Sequence, residues 1–292
     1  MTRLPVEPLP AYWVDAFTQQ PFTGNPAVVI PEAERLSATQ MQQIAREVNC
    51  SETAFISPPT DPQADLELRW FTPAREVDLC GHATVAALHT LVDLNSQYLQ
   101  PQTMLQTRSG LLAVEIETKE ENKGALIWLT VPACQFQPIQ AATLSAALGV
   151  ELTSRDLPSV VDSLNQDVLF PIASLAELHA LKPDFPTLGA IAQQQGWRGI
   201  CAYCLETIES SSSAHLRFFA PHYGIAEDPV TGSVSVPLAS YLQQTGNLHQ
   251  PRLILEQGDC LGRSGRVQVD LSGDRPRFGG QAVTVMRGEL YL

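Results

Sequence analysis

A duplicated α+β fold, with one buried helix at the centre of each half, is what this chain predicts, and three observations carry that reading. First, Arg69-Trp70-Phe71-Thr72-Pro73 leads into Gly81-His82-Ala83, and later Arg217-Phe218-Phe219-Ala220-Pro221 leads into Gly232-Ser233-Val234. Second, Arg108-Ser109-Gly110 before alternating Leu112, Val114 and Ile116 is echoed by Arg263-Ser264-Gly265 before Val267 and Val269. Two echoes in the same order read as an internal repeat. Third, the run after His82 holds Ala83, Val85, Ala86, Ala87, Leu88, Leu91 and Val92, which leaves almost no polar face, so other structure must wrap this helix. The expected halves are residues 1–132, with a last strand at about 281–292 packing onto them, and residues 133–292. A chain of 292 residues, 44% hydrophobic, suits two units of that size.

Along the first half, Tyr12 to Phe17 and Ala27 to Ile30 read as strands around the turn residues of Phe22-Thr23-Gly24-Asn25-Pro26. Ser37 and Gln40 make a capping box, and Met41, Ile44, Ala45 and Val48 recur at helical spacing up to a stop near Asn49. Ser51 to Ile56 and Leu66 to Phe71 read as strands, separated by the breaker Pro58-Pro59-Thr60-Asp61-Pro62. After the first buried helix come strands around Met104 to Gln106, Leu111 to Ile116 and Ala125 to Val131, with polar Glu117 to Lys123 as a hairpin loop. In the second half, Ala141 to Leu148, Ser174 to Leu181 and Thr187 to Gln195 read as helices, with short strands within Ser159 to Pro171. Pro237 is tolerable only in the opening turns of the second central helix, which sets its start close to Ser233. Gly246-Asn247 ends it, and strands follow from Arg252 onward.

Composition excludes several function classes. A net charge of −13 with only three lysines argues against nucleic acid, whose binding needs clustered Lys and Arg. No apolar segment approaches the about 20 residues that span a bilayer, and the first eight residues lack a signal-peptide core, so a cytoplasmic location is expected. Six cysteines in a chain this long read as reduced thiols. Cys201 and Cys204 have Cys-x-x-Cys spacing but sit in a strand-like stretch, where residues three apart face opposite sides.

The chemistry gathers at the two helix starts. Each offers backbone N–H groups without helical partners and the positive end of a macrodipole, which together suit a carboxylate. Gly81 and Gly232 let a ligand come close to the backbone, and if the two starts meet, the cleft between halves is the expected site for a small anionic substrate. Glu52 is the first candidate proton carrier, since an apolar setting is expected to raise its pKa; the ordinary alternative is a solvated strand-end glutamate. His82 suits donation to a ligand or a held proton. Asp228, in Glu227-Asp228-Pro229-Val230-Thr231-Gly232-Ser233, either orients a polar group or caps local backbone, the commoner job of Asp near a helix start. Thr231 and Ser233 are candidate ligand donors, Ser233 without the Gly-x-Ser-x-Gly elbow of a nucleophile. The other histidines lack metal-ligand spacing and no phosphate loop occurs. Neither metal nor cofactor is implied.

The chain resembles the PhzF, or phenazine biosynthesis-like, isomerases. The matching stretches are Asp15-Ala-Phe-Thr, Phe22-Thr-Gly-Asn-Pro-Ala, Ser51-Glu-Thr-Ala-Phe, Phe71-Thr-Pro, Cys80-Gly-His-Ala-Thr, Glu227-Asp-Pro-Val-Thr-Gly-Ser and Gly279-Gly280. The resemblance implies the diaminopimelate epimerase-like fold: two pseudo-symmetric α+β halves, each a curved sheet around a central helix, often as a homodimer. It further implies that Glu52 shuttles a proton while His82, Asp228 and Ser233 position and polarise the substrate, which in the family's type reaction is a dihydro-hydroxyanthranilate. Sister epimerases use two opposed cysteines; Cys80 stands near the first such place, but Asp228-Pro229-Val230 offers no second thiol. Val230 and Val234 are larger than the alanines frequent in that loop of the family, and Val234-Ser235-Val236 is expected to crowd the pocket side. The leading expectation is a cofactor-independent isomerase. An epimerase or racemase of an amino-acid-like substrate, and a ligand-binding protein without turnover, are the alternatives.

Overall fold

Residues 8–118, 124–150 and 157–292 are described by the structure, a computed structural model. The chain forms two compact units, Met1–Thr130 with Gly279–Leu292, and Val131–Phe278.

In the first unit, β1 (Leu9–Ala16) turns back on β2 (Asn25–Ile30), and the turn depends on Gly24, at φ +65°. A Cβ there would lie 2.2 Å from the Ala16 carbonyl oxygen, so the close return of the chain requires glycine. The strand begins at Leu9, three residues before the expected Tyr12, and ends before Phe17, whose φ of 62° lies outside β space. Helix α1 (Ala38–Val48) opens on the expected Ser37–Gln40 capping box and stops at Asn49 in the left-handed conformation. Its buried Met41, Ile44 and Ala45 face Val28, Ile30, Phe55 and Phe71 in one core. The sheet continues with β3 (Glu52–Ser57), parallel to β2, then antiparallel β4 (Leu66–Phe71) and the short β5 (Glu76–Val77).

Helix α2 (Gly81–Asp93) buries every residue from His82 to Leu91. It packs against β1, β2, β3, β8 (Ala125–Thr130) and β18 (Ala282–Leu290), as a helix without a polar face must. Strand β6 (Gln102–Thr107) runs parallel to β4 and pairs antiparallel with β7 (Gly110–Thr118), which pairs with β8. Residues 119–123 of the expected hairpin loop lie outside the described residues. The last strand, β18, closes on β1 with Leu9 opposite Leu290.

The second unit repeats this plan. After β9 (Phe136–Pro138) and α3 (Ala142–Leu148), β10 (Val160–Asp162) pairs with β9 and with β11 (Asp167–Pro171). Helices α4 (Leu175–Ala180) and α5 (Phe185–Gln195) lead to β12 (Gly199–Cys204), which is parallel to β11 as β3 is to β2. Helix α5 starts two residues before the expected Thr187, because Asp184 accepts the Thr187 N–H as N-cap and Pro186 suits the first turn. Strand β13 (Ala214–Ala220) lies between β12 and the short β14 (Ile225–Asp228), as β4 lies between β3 and β5. Helix α6 (Gly232–Gln244) corresponds to α2. Strand β15 (Arg252–Gln257), parallel to β13, pairs with β16 (Gly265–Asp270) as β6 pairs with β7. A short 3₁₀ turn at Asp259–Leu261 interrupts the expected run of strands, and β17 (Arg277–Gly280) precedes β18. At Gly279 a Cβ would fall 2.3 Å from the Ile127 carbonyl oxygen, which accounts physically for one glycine of the closing pair.

The duplication extends to side chains. Arg69 on β4 makes a bidentate pair with Glu76 on β5, and Arg217 on β13 makes one with Glu227 on β14. At the two central helices, Thr84 Oγ1 donates to the Cys80 carbonyl and Ser235 Oγ to the Thr231 carbonyl.

Candidate active site

In the first unit the start of β3 and the start of α2 bring Glu52 and His82 together. Pairing with β2 sets Glu52 opposite Ala27. Extended Cys80 (φ −142°, ψ 112°) caps α2 without a side-chain bond of its own, while Thr84 donates to its carbonyl through both N–H and hydroxyl. That fixes the first helical turn and with it His82. The Glu52 Oε2 to His82 Nε2 distance is 3.2 Å. The other ring nitrogen, Nδ1, lies 3.4 Å from Cys80 Sγ. Ser51 Oγ donates to the Pro26 carbonyl at 3.1 Å and sits 3.3 Å from His82 Nε2. Glu52, Cys80 and His82 are all buried, at 7–8% exposure.

Electrostatics correct one expectation. Burial alone pushes the Glu52 pKa up, as anticipated, but the charge and hydrogen bond of His82 outweigh it, and the net shift is downward. His82 moves the other way: desolvation opposes its charge, yet the Glu52 carboxylate, with hydrogen bonds to Glu52 and to the Cys80 sulfur, holds it above the ordinary imidazole value. The pair is therefore carboxylate and imidazolium, so Glu52 stands in the form that accepts a proton. Burial pushes the Cys80 thiol up, aided by the Glu52 charge, so Cys80 is held as a thiol.

In the second unit Asp228, Thr231, Gly232 and Ser233 gather where β14 gives way to α6. Thr231 Oγ1 donates to Asp228 Oδ2 at 2.5 Å. Gln257, at the end of β15, ties the turn together: its Nε2 donates to the Asp228 carbonyl, and its Oε1 accepts the Thr231 N–H, both at 2.8 Å. Pro237 has no N–H for the Ser233 carbonyl four residues back, and Asn165 Nδ2 donates to that carbonyl instead at 3.0 Å. Asn165 is aimed by a turn in which Asp162 Oδ1 accepts the N–H groups of Leu164 and Asn165. Val230, Val234 and Val236 are fully buried.

Sequence reasoning missed Ser51, Gln257 and Asn165. Ser51 could have been found beside Glu52; the other two lie 26 and 68 positions from the residues they bind, with no local signal. It also missed a cluster of possible metal ligands, Glu52, Cys80 and His82, whose ligand atoms lie within 4.8 Å of one another. A cleft of about 440 Å³ at the other end of α2, lined by Leu91, Leu94 and Tyr98 with Glu32, Glu34 and Asp65, has neither a histidine nor a thiol. The candidate chemistry is at the helix start. No helix among the described residues is long and apolar enough to cross a membrane.

The fold is one used by epimerases: hydroxyproline epimerase from Agrobacterium vitis, solved with trans-4-hydroxy-L-proline, superposes with a TM-score of 0.63 at 11% identity over 98% of this chain and 92% of that one. At that identity the likeness is one of fold alone. An uncharacterized isomerase of Halalkalibacterium halodurans is 37% identical, over 97% of this chain and 98% of its own, and with this fold the protein is an isomerase. The crystal structure of a Bacillus anthracis phenazine biosynthesis protein of the PhzF family matches with a TM-score of 0.89 at 29% identity, covering 98% of this chain and all of that one. The PhzC-PhzF family model, described as phenazine biosynthesis-like protein, spans residues 14–288, and the chain belongs to that family.

Proposed function

We propose that this isomerase moves a proton along a small carboxylate-bearing substrate, with Glu52 as the carrier. The observation that supports this most is the buried Glu52–His82 pair at 3.2 Å, in which the carboxylate is ionised and shielded from water. Glu52 takes a proton from a substrate carbon: the C–H bond breaks, an O–H bond forms, and the electron pair passes into the substrate's conjugated system. Burial makes the neutral acid an accessible state, because desolvation opposes the charged form. The same acid then returns the proton to a different carbon, so nothing is oxidised and no group is lost. His82 holds the carboxylate in place through Nε2. The substrate carboxylate is assigned to backbone N–H groups at the start of α2, Gly81-His82, and Asp228, Thr231, Gly232 and Ser233 make a matching polar helix start in the second unit. A chain of net charge −13 draws no anion by its overall field, which makes local donors the natural receptor.

The test is enzyme-dependent deuterium transfer from D₂O into small carboxylates of a metabolite extract, read by mass spectrometry. Products of unchanged formula, one mass unit heavier, are expected with wild type and absent with Glu52→Gln. Products that are epimers of their substrates would instead establish racemase-type chemistry. Binding of a carboxylate without any transfer would reduce the protein to a binder and end the reading.

A further inference from the structure

We propose that Glu52, Cys80 and His82 form a binding site for one soft divalent cation of the zinc type. The site stands on geometry, independently of whether Glu52 carries a proton. Zinc takes thiolate, imidazole and carboxylate ligands at about 2.0–2.3 Å, which places the ligand atoms of a tetrahedral site about 3.3–3.6 Å apart. Here Glu52 Oε2 and His82 Nε2 are 3.2 Å apart and Cys80 Sγ and His82 Nε2 4.0 Å, with all three ligand atoms inside 4.8 Å. The thiol lies beyond the tetrahedral spacing and moves inward as the set closes around an ion.

The donors also decide which ion. A sulfur ligand selects zinc or cadmium over magnesium and calcium, which prefer oxygen alone. Three protein ligands leave a fourth position open, the pattern of a zinc site with an exchangeable ligand. The backbone is already rigid there: Glu52 is held in the sheet, and Cys80 and His82 flank Gly81 at a helix start fixed by Thr84. On binding, the Cys80 thiol and the protonated His82 each release a proton to solvent, and the metal takes the vacated lone pairs. Because the ion occupies the Glu52 oxygen assigned above to proton transfer and the His82 nitrogen that holds it, a metal bound here silences that chemistry.

The experiment uses full-length protein treated with a chelator and then titrated. Cadmium is followed by the ultraviolet absorption of a thiolate-to-cadmium bond, and zinc by calorimetry. Wild type is expected to bind one ion of either metal per chain with the thiolate signal. Cys260→Ser, which removes the exposed thiol, keeps that signal. Cys80→Ser loses it and binds zinc at least about 100-fold more weakly, since even outer partners of a metal site are worth 10–100-fold. If Cys80→Ser fails to fold, His82→Gln, with the same weakening expected, decides the matter. No saturable ion in wild type, a signal that survives Cys80→Ser, or one that disappears in Cys260→Ser overturns the site. A protein that binds no metal but transfers deuterium refutes this inference alone, and one that binds metal without transfer refutes only the proposed reaction.

Discussion

Each unit buries a glutamate against a histidine, and the two pairs are held differently. In the second unit His215 Nδ1 lies 2.9 Å from Glu256 Oε2, and both side chains are fully buried. Glu256 also accepts the N–H groups of Ile208 and Glu209, at 2.8 and 2.7 Å, so both its oxygens are committed to fixed donors. Among the described residues Glu52 is held by the His82 imidazole at 3.2 Å, while the neighbouring Ser51 hydroxyl donates to the Pro26 carbonyl. A carboxylate saturated by backbone donors cannot take up a proton without breaking structure. One held by an imidazole can. Burial beside a histidine therefore does not by itself identify a proton carrier; the number of fixed donors differs between the two pairs.

The largest expected effect breaks this comparison at the first pair. Glu52→Gln should cost about 10² to 10⁴ in rate with a thermal midpoint close to wild type, read by deuterium transfer and calorimetry. The converse holds at the second pair. Glu256→Gln leaves two backbone donors facing an amide and His215 without its carboxylate, and should cost about 3 kcal/mol in denaturant unfolding while the folded fraction keeps its activity. If Glu256→Gln removes activity at unchanged stability, the distinction between the pairs is wrong.

Acid sharpens the contrast. Burial pushes the Glu256 pKa up, but the hydrogen bond from His215 and those from Ile208 and Glu209 outweigh it and hold the group at about 2, from an ordinary 4.5. A carboxylate depressed by folding contributes stability that is complete above its unfolded pKa and is lost as the pH falls through its folded one. Unfolding midpoints should therefore drop between pH 4.5 and 2, and the drop should shrink in Glu256→Gln, measured by chemical denaturation across that window.

The smallest effect concerns the two central helices. Pro237 stands at the place in α6 that Ala86 holds in α2, five residues after the opening glycine, and Asn165 replaces the missing donor. Asn165→Ala should cost about 1 kcal/mol. In a Pro237→Ala background, where residue 237 again has an N–H for Ser233, the same change should cost measurably less. Equal costs in both backgrounds would show that Asn165 acts elsewhere.

How much of this was legible beforehand depended on distance along the chain. The capping box at Ser37, the burial of α2 and the start of α6 near Ser233 follow from residues a few positions apart, because helix geometry makes such residues neighbours. The paired motifs Arg69 to Gly81 and Arg217 to Gly232 disclosed the duplication, and Glu52 and His82 stood out as chemistry at element starts. Short strands β5 and β14 did not stand out: two and four residues are too few for a period. The sequence by itself determined the repeated α+β plan, the family and the residue types at each helix start, since these rest on local pattern and on motif order. Only the tertiary structure decided that His82 lowers the Glu52 pKa below its ordinary value, that Cys80 touches the same imidazole, and that Gln257 and Asn165 brace the α6 start. Strand pairing and helix docking create those contacts between residues distant in sequence. A pKa or a ligand set depends on what lies within a few ångströms, whatever its place in the chain.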